Sequence, residues 1–255
     1  MAAAADPTSE DALLGGRLVL RQPLRGHRFG HDAVLLAAAT PARMGEHAIE
    51  LGAGVGAAGL ALARRVEGLA ITLIELDPNL AALARENAAR NALANRVRAV
   101  CLDVAAPVAQ FADAGLALDS ADHVLMNPPF NAPHNLSPDQ ARRLAYAASP
   151  GTLAQWIDIA ARLLRPQGAL TLIWRADGLA EVLAALASGY GAIAIMPVYP
   201  KPGAAAIRVL VSAAKGSNAP LTLLPGLFLA DSDNRPSAQA EAILRDGVAL
   251  VLRAG

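Results

Sequence analysis

From residue 47 onward, short apolar runs alternate with helical stretches, and this alternation constrains the fold more than any other feature of the sequence. Each run has the length of one buried strand. The runs lie at 47–51, 70–75, 97–102, 121–127 and 168–175. In one of the helical segments between them, Asp77 suits an N-cap and Pro78 suits the first turn. Because strands joined through helices pair by right-handed crossovers, we predict an α/β fold with a twisted, mostly parallel sheet.

Outside this pattern the chain has a predicted hairpin and two flanking segments. Apolar runs at 192–200 and 205–213 are joined by a short Lys-Pro-Gly link, and they would place an antiparallel strand at the edge of the sheet. We divide the chain into an N-terminal extension (1–46), a core (47–215) and a C-terminal tail (216–255) that packs on the core and holds a helix at 237–246. With 255 residues, 54% of them hydrophobic and 17% charged, the chain suits one domain with helices on both faces of its sheet.

The charge balance restricts the partners. The chain has 22 basic and 22 acidic residues, so no overall field attracts it to nucleic acid or to an anionic membrane. Any contact with RNA would therefore have to come from a local group of basic residues. The candidates are Arg17, Arg21, Arg25, Arg28, Lys201, Arg208 and Lys215. The alternative is that these are ordinary solvated surface positions. The opening residues do not read as a signal peptide, and the apolar run at 33–39 is too short to span a bilayer. We expect a soluble, cytoplasmic protein.

Cysteine and histidine usage argues against a metal site. The single cysteine, Cys101, excludes an intramolecular disulfide and any cluster of cysteine ligands. Because it sits in the apolar run "VRAVCLD", we expect a buried structural thiol. The five histidines show no ligand spacing, so we expect no bound metal.

The turn after the first predicted strand, "ELGAGVGAAG" at 50–59, contains four glycines and fits two ligand-binding patterns. In one frame, Gly54, Gly56 and Gly59 match G-x-G-x-x-G, with Glu75 placed to bind a ribose hydroxyl, as in NAD-type dinucleotide-binding oxidoreductases. In the other frame an acidic residue, Glu50, precedes glycines at every second position: Gly52, Gly54 and Gly56. In both, glycine lets the backbone approach a ligand closely.

The second frame resembles motif I of class I S-adenosylmethionine-dependent methyltransferases, which have a Rossmann-like, seven-stranded, mostly parallel sheet. The resemblance implies that S-adenosylmethionine is the cofactor and that Glu50 binds its methionyl ammonium. Glu75 would accept hydrogen bonds from both ribose hydroxyls, and Leu76 would pack against the adenine. Asp103 would accept a hydrogen bond from the adenine amino group, while the Val104 amide would donate one to the ring. The glycines lying against the cofactor would be Gly52, Gly54 and Gly56.

The segment after the fourth predicted strand reads Asn127-Pro128-Pro129-Phe130 and resembles the motif of methyltransferases that modify planar amino groups. An exocyclic amine is a weak nucleophile because its lone pair is delocalised. The Asn127 side-chain oxygen, which would also border the cofactor's methyl group, and the Pro128 carbonyl could accept its two protons and favour pyramidalisation. Pro128 and Pro129 fix the backbone, and Phe130 offers a ring on which a flipped base can stack. An ordinary β-to-loop turn is the alternative.

The segment before the glycine turn narrows the family. "FGHDAVLL" (29–36) resembles the corresponding part of bacterial tRNA adenine-N6-methyltransferases that modify the adenosine beside the anticodon of a valine tRNA. The resemblance implies that the extension forms a cofactor lid, with Phe29, Gly30 and Asp32 near the methionyl end. It also implies a structured RNA substrate, most simply the N6 amine of a tRNA adenine. Methylation of a guanine in ribosomal RNA, of a protein glutamine or of a small molecule remains open, as does a binding or scaffold protein with a vestigial site.

Overall fold

The computed structural model describes residues 7–25, 28–129 and 151–252. Its strands are β1 (Thr8–Leu13), β2 (Leu18–Pro23), β3 (His47–Leu51), β4 (Ala70–Glu75), β5 (Val97–Cys101), β6 (Ala121–Met126), β7 (Leu164–Arg175), β8 (Tyr190–Tyr199), β9 (Arg208–Lys215), β10 (Thr222–Leu223) and β11 (Leu227–Phe228). Its α-helices are α1 (His31–Ala39), α2 (Ala57–Arg65), α3 (Pro78–Arg90), α4 (Val108–Asp113), α5 (Thr152–Leu163), α6 (Leu179–Leu186) and α7 (Ala238–Leu244). The five central strands and the C-terminal helix therefore lie where the sequence predicts them.

The main sheet has the strand order β5-β4-β3-β6-β7-β9-β8, and β10 and β11 pair with the outer side of β8. Neighbouring strands from β5 to β7 are parallel, which confirms the mostly parallel sheet. The expected place of the antiparallel strand was wrong, because β9 lies between β7 and β8 rather than at the edge. Strand β9 inserts between β7 and β8 and forms hydrogen bonds with both, so its backbone is paired on both sides.

Helices cover both faces of this sheet. On one face, buried side chains of α1, α2 and α3 pack with those of β2 and α7. On the other face, α4, α5 and α6 supply the buried side chains. Neighbouring residues of one strand point to opposite faces, so Leu73 joins the first core and Ile74 joins the second. Within the described ranges, no helix has the length and apolarity needed to cross a membrane.

Local signals set the helix starts. The Asp77 side chain accepts hydrogen bonds from Asn79 N–H (2.8 Å) and Leu80 N–H (3.4 Å), so the predicted cap of α3 is confirmed. Helix α2 begins at Ala57, inside the glycine turn predicted at 50–59, because Gly56 adopts a left-handed conformation (φ 86°) and ends the turn early. Gly59 is consequently a residue of α2 and not of the loop.

The expectation that Cys101 is buried was wrong, because the thiol is exposed. Cys101 ends β5, which is the edge strand on its side of the sheet. Only Val97 of this strand is fully buried, although the apolar run reads as an interior strand. The Cys101 Sγ lies 3.5 Å from the Leu76 carbonyl oxygen.

Candidate active site

The parallel strands β3, β4, β5 and β6 all end at one edge of the sheet, called here the carboxyl edge. Ligands of open α/β sheets bind outside this edge. The glycine turn follows β3, Glu75 ends β4, Asp103 follows β5 and Asn127 follows β6. The fold therefore gathers the four sequence-predicted segments at one place.

The glycines of the turn serve different purposes. A Cβ on Gly52 (φ +67°) would lie 2.4 Å from the Trp156 ring of α5, so packing excludes a side chain there. Gly54 (φ +56°) has open space where its Cβ would be, which leaves its backbone accessible to a ligand. A Cβ on Gly59 would lie 2.7 Å from the Glu50 carboxylate. Only Gly54 faces open space, so it is the glycine best suited to contact a cofactor.

Glu75 lies directly against the glycine turn. The residue is 9% exposed, and its Oε2 accepts a hydrogen bond from Gly54 N–H at 2.7 Å. Its Oε1 accepts from Asp77 N–H at 2.8 Å. Burial raises the pKa of the Glu75 carboxyl, although these N–H groups oppose the rise. The acceptor is thus held rigidly beside the open side of Gly54.

Glu50 is more deeply buried, at 5% exposed, and points towards α2. Its Oε2 accepts a hydrogen bond from Gly59 N–H at 2.7 Å. Burial raises the pKa of Glu50 to about 8; the Gly59 hydrogen bond opposes the rise and the charge of Glu75 adds to it. A cation bound beside this carboxyl would lower its pKa and stabilise the ionised form, which burial otherwise disfavours.

The predicted adenine side lies on the two adjacent strand ends, β4 and β5. Leu76 exposes 47% of its surface and offers an apolar ledge, whereas Val104 is buried. Asp103 is half-buried, and its Oδ1 accepts a hydrogen bond from Ala105 N–H at 2.8 Å. The Leu102 N–H donates to the Glu75 carbonyl at 2.9 Å, which joins these segments directly.

Asn127 carries the clearest unsatisfied group of the site. Its side-chain Oδ1 is buried, and the described residues supply it with no hydrogen-bond partner. Pro128 is buried and Pro129 is half-buried behind it. Phe130 lies outside the described residues, so its stacking role stays a prediction. A buried acceptor without a partner costs about 1–3 kcal/mol, and such groups are rare unless a ligand or water satisfies them.

The predicted lid residues are positioned less directly. Asp32, in the first turn of α1, forms an ion pair with Arg208 at 2.8 Å. Arg208 begins β9 opposite the end of β7, so this contact brings Asp32 to the carboxyl edge of the sheet. Phe29 N–H donates to Gln22 at 3.1 Å, and Gly30 caps α1. These two residues line a groove of about 600 Å³ between the β1–β2 hairpin, α1 and α7. Glu50, Glu75 and Asn127 are not in its lining, so contact of Phe29 and Gly30 with the cofactor stays a prediction.

Sequence reasoning missed Asn87, a fully buried residue of α3. Its Nδ2 donates to the carbonyls of Val55 (3.0 Å) and Arg21 (2.9 Å), and its Oδ1 accepts from Arg21 N–H (2.8 Å). One amide therefore ties the glycine turn to β2 of the extension. The available signal was the pair of asparagines four residues apart on the alanine-rich face of this helix, "ENAARN".

The basic residues do not form one patch. Four of them are ion-paired: Arg21 with Glu86, Arg28 with Asp11, Arg208 with Asp32, and Lys215 with Asp119. Arg208 and Lys215 also begin and end the same strand, so they lie at opposite edges of the sheet. In the part of the chain that the structure describes, there is no group of three histidine, cysteine, aspartate or glutamate residues that could hold a metal ion.

Comparison with known proteins identifies the family. The model of the methyltransferase small domain family matches residues 28–183, more than half of the chain. A Dickeya chrysanthemi protein named tRNA1(Val) (adenine(37)-N6)-methyltransferase is 29% identical over 225 residues, which are 86% of this chain and 87% of that protein. A Porphyromonas gingivalis protein of the same name is 32% identical over 159 residues, or 61% of either chain.

Solved structures agree with this assignment. The crystal structure of a predicted O-methyltransferase from Agrobacterium tumefaciens is 30% identical, with a TM-score of 0.73, and the match covers 86% of this chain and 98% of that one. An S-adenosylmethionine-dependent O-methyltransferase from Thermotoga maritima, 18% identical with a TM-score of 0.54, shares the fold. The chain therefore belongs to the methyltransferase small domain family and is an S-adenosylmethionine-dependent methyltransferase with a Rossmann-like fold, not an NAD-type oxidoreductase.

Proposed function

We propose that this methyltransferase modifies an exocyclic amine, the N6 amine of an adenine in tRNA. The observation that carries the proposal is the buried Oδ1 of Asn127 at the carboxyl edge, which has no hydrogen-bond partner among the described residues. The names of the relatives from Dickeya chrysanthemi and Porphyromonas gingivalis support adenine in tRNA as the substrate. With tRNA as substrate, the enzyme works in the cytoplasm.

The chemistry of an amine accounts for an oxygen that no described residue satisfies. An adenine N6 amine presents two N–H donors, and we assign one to Asn127 Oδ1 and the other to the Pro128 carbonyl. Both acceptors draw the hydrogens out of the ring plane, which returns the lone pair to the nitrogen. A hydroxyl substrate has one proton and would leave one of the two acceptors unused. The arrangement therefore favours nitrogen over oxygen as the methyl acceptor.

The surrounding residues fit S-adenosylmethionine, which supplies an electrophilic methyl group on a sulfonium. We assign the ribose hydroxyls to Glu75 and the methionyl ammonium to Glu50, whose buried carboxyl gains from a cation. The open space at Gly54 admits the ligand next to Glu75, while Leu76, Asp103 and Val104 border the adenine. Gly52 and Gly56 shape the turn, and Asn127 borders both cofactor and substrate.

The transfer step balances without a protein base. The nitrogen lone pair forms the new N–C bond as the S–C bond breaks, and the electron pair of that bond stays on sulfur. The methylated nitrogen is then strongly acidic and releases its extra proton to water. Asn127 and Pro128 hold the amine in place throughout, so their contribution is positioning and polarisation.

We also propose that the N-terminal extension, residues 1–46, closes over the cofactor and that residues 216–255 pack on the core. The Asn87 amide supports the first part, because it joins β2 to the glycine turn. Strands β10 and β11 support the second, because they extend the sheet beyond β8.

The proposal is tested by incubating the purified enzyme and methyl-labelled S-adenosylmethionine with total tRNA, ribosomal RNA and protein extracts from cells that lack the gene. We expect label in tRNA, recovered as N6-methyladenosine by mass spectrometry of nucleosides. Label in N2-methylguanosine, in methylglutamine or in small molecules alone would replace adenine in tRNA with that substrate. The Asn127→Ala enzyme provides the background.

A further inference from the structure

The glycine turn is held from both faces of the sheet, and one of the residues that hold it, Trp156, has no part in the proposed reaction. From the side of α3, Asn87 donates a hydrogen bond to the Val55 carbonyl at 3.0 Å. From the other side, the Trp156 ring lies against Gly52, where an added Cβ would be 2.4 Å from the indole Cη2 atom. Trp156 shares its core with Leu51, the last residue of β3. The contact therefore joins α5 to the residue that directly follows β3.

Trp156 lies towards the carboxyl edge because α5 runs back across the sheet from that edge. The carbonyls of Arg162 and Leu163, at the end of α5, accept hydrogen bonds from Asp119 and Ser120 N–H, just before β6. The end of α5 is thus at the amino edge of the parallel strands, and its first turns are at the carboxyl edge. Trp156 is the fifth residue of this helix and is 9% exposed.

The length of the Trp156 side chain, and not only its apolarity, distinguishes this position. The other large buried side chains of α5 are aliphatic: Leu153, Ile157, Ile159 and Leu163. At this spacing a leucine would complete the apolar face, and leucine favours a helix more than tryptophan does. The atom closest to the Cβ position of Gly52 is Cη2, at the outer edge of the indole. A shorter apolar side chain would therefore fill the core of α5 but fall short of the turn.

Gly52 depends on such support because it has no side chain to restrict its backbone. A glycine populates positive and negative φ about equally, yet Gly52 is held at φ +67°. The next two residues tie the turn to β4: Ala53 N–H donates to the Ile74 carbonyl at 2.8 Å, and Gly54 N–H donates to Glu75 at 2.7 Å. A change of direction at Gly52 would disturb both hydrogen bonds and displace Gly54 from the Glu75 carboxylate.

We propose that Trp156 is a positioning residue for S-adenosylmethionine. Its indole edge holds Gly52 in the left-handed conformation and thereby keeps Gly54 and the Glu75 carboxylate in place for the ribose. Trp156 acts through the turn and not by contact with the cofactor. This inference rests on the proposed cofactor contacts of Gly54 and Glu75, but it does not depend on the nature of the methyl acceptor.

The experiment measures binding of S-adenosylmethionine and S-adenosylhomocysteine to the wild type, Trp156→Leu and Trp156→Phe by isothermal titration calorimetry. We expect Trp156→Leu to weaken both ligands about tenfold, because a binding group that is no longer held in place loses affinity. The factor should be the same for both ligands, since they share the ribose that the turn positions. Trp156→Phe keeps a ring but lacks the outermost atoms of the indole, so its loss should be smaller.

Leu163→Ala is the matched control. Leu163 is 1% exposed and belongs to the same helix and core, but it lies at the amino edge, away from the turn. Its truncation should lower the free energy of unfolding by leaving a cavity, while both ligands bind as they do to the wild type. If Leu163→Ala weakened binding as much as Trp156→Leu, the loss would follow from stability alone and the inference would be wrong.

A double-mutant cycle tests whether Trp156 and Gly52 act through their contact. Gly52→Ala places a methyl group against the ring, and Trp156→Leu removes the ring. In urea unfolding, Gly52→Ala should cost less stability in the Trp156→Leu background than in the wild type, because the collision is gone. Additive losses would show that the ring does not bear on Gly52, and they would overturn the inference.

Glu75→Ala separates this inference from the proposed cofactor contacts. If Glu75→Ala weakens binding while Trp156→Leu and Trp156→Phe bind like the wild type, Trp156 only fills the core and the contacts of Glu75 stand. If none of the three weakens binding, both proposals are wrong. Should Trp156→Leu fail to fold, the affinity of Trp156→Phe relative to Leu163→Ala decides.

Discussion

Glu75 Oε2 accepts a hydrogen bond from Gly54 N–H at 2.7 Å, so the end of β4 is bonded directly to the turn that follows β3. This contact places a buried acceptor beside the one glycine of the turn with open space at its Cβ position. The two frames of the glycine motif predict the same acidic residue for a ribose. Both frames select Glu75 because β3 and β4 are adjacent and parallel, which places the end of β4 against the glycine turn whichever nucleotide is bound.

Glu75→Ala should weaken binding of S-adenosylmethionine by about 1.5–3 kcal/mol, the worth of charge-assisted hydrogen bonds. Asp103→Ala should cost less, because Asp103 is half-buried and water can replace its contact with one amino group. Isothermal titration calorimetry measures both. Equal dissociation constants for wild type and Glu75→Ala would remove Glu75 from the cofactor site.

Cofactor affinity should rise with pH up to about 8 because of Glu50, whose pKa burial raises to about 8. Below that pH the carboxyl is protonated, and binding of an ammonium beside it must release the proton, so affinity is lost as pH falls. Glu50→Gln should flatten this dependence between pH 6 and 8. Some slope should remain, since the pKa of Glu75 is also raised. A slope identical to that of the wild type would contradict the assignment.

The same carboxyl affects folding with the opposite trend. Between its ordinary pKa near 4.5 and about 8, Glu50 is ionised in the unfolded chain but protonated in the folded one. The free energy of unfolding should therefore fall as pH rises through this range. Urea titrations at pH 5, 6.5 and 8 measure the trend, and it should weaken in Glu50→Gln.

Asn127→Ala should leave the fold and the cofactor affinity nearly intact while turnover falls roughly 10²- to 10³-fold, as for removal of one pre-placed hydrogen-bonding group. The loss should appear in the chemical step, which single-turnover kinetics at saturating cofactor isolates. Asn127→Asp keeps a hydrogen-bond acceptor in the same place but adds a negative charge. Comparing it with Asn127→Ala separates the effect of the acceptor's position from the effect of its charge. Transfer at the native rate by Asn127→Ala would end the amine hypothesis.

Two glycines of the turn should respond differently to alanine. Gly54→Ala meets open space, so its cost to stability should be about 1–2 kcal/mol from its positive φ, while cofactor binding is blocked. Gly52→Ala adds a collision with Trp156, so the free energy of unfolding should fall by a further 1–3 kcal/mol. Chemical denaturation and calorimetry on both variants test the distinction, which similar stabilities would refute.

Asn87→Ala should destabilise the fold and also weaken cofactor binding, because it frees the Val55 carbonyl of the glycine turn. Asn91→Ala is the matched control. Its side chain bonds to both backbone groups of Val19 in β2 and to the Asn87 carbonyl, but to no group of the turn. Each change should cost about 1–3 kcal/mol of stability. If both lowered cofactor affinity equally, Asn87 would have no special link to the turn.

The sequence by itself determined the elements and the candidate motifs. The strands of the parallel core, the Asp77 cap and the glycine turn follow from periodicity and turn chemistry, which act over a few residues. Parallel strands joined by helices end at the same edge of a sheet, so the order of elements also places the ends of β3, β4, β5 and β6 together; Glu50, Glu75, Asp103 and Asn127 lie in or directly after these ends.

Tertiary structure decided what depends on neighbours distant in sequence. The place of β9 between β7 and β8, the exposure of Cys101 and the ion pairs of the basic residues all depend on which strand or side chain lies alongside. Asn87 acquired its role only because β2 and the glycine turn meet at α3. The acidity of Glu50 was also beyond the sequence, because it is set by how completely the packed α2 and β3 remove water from one carboxyl.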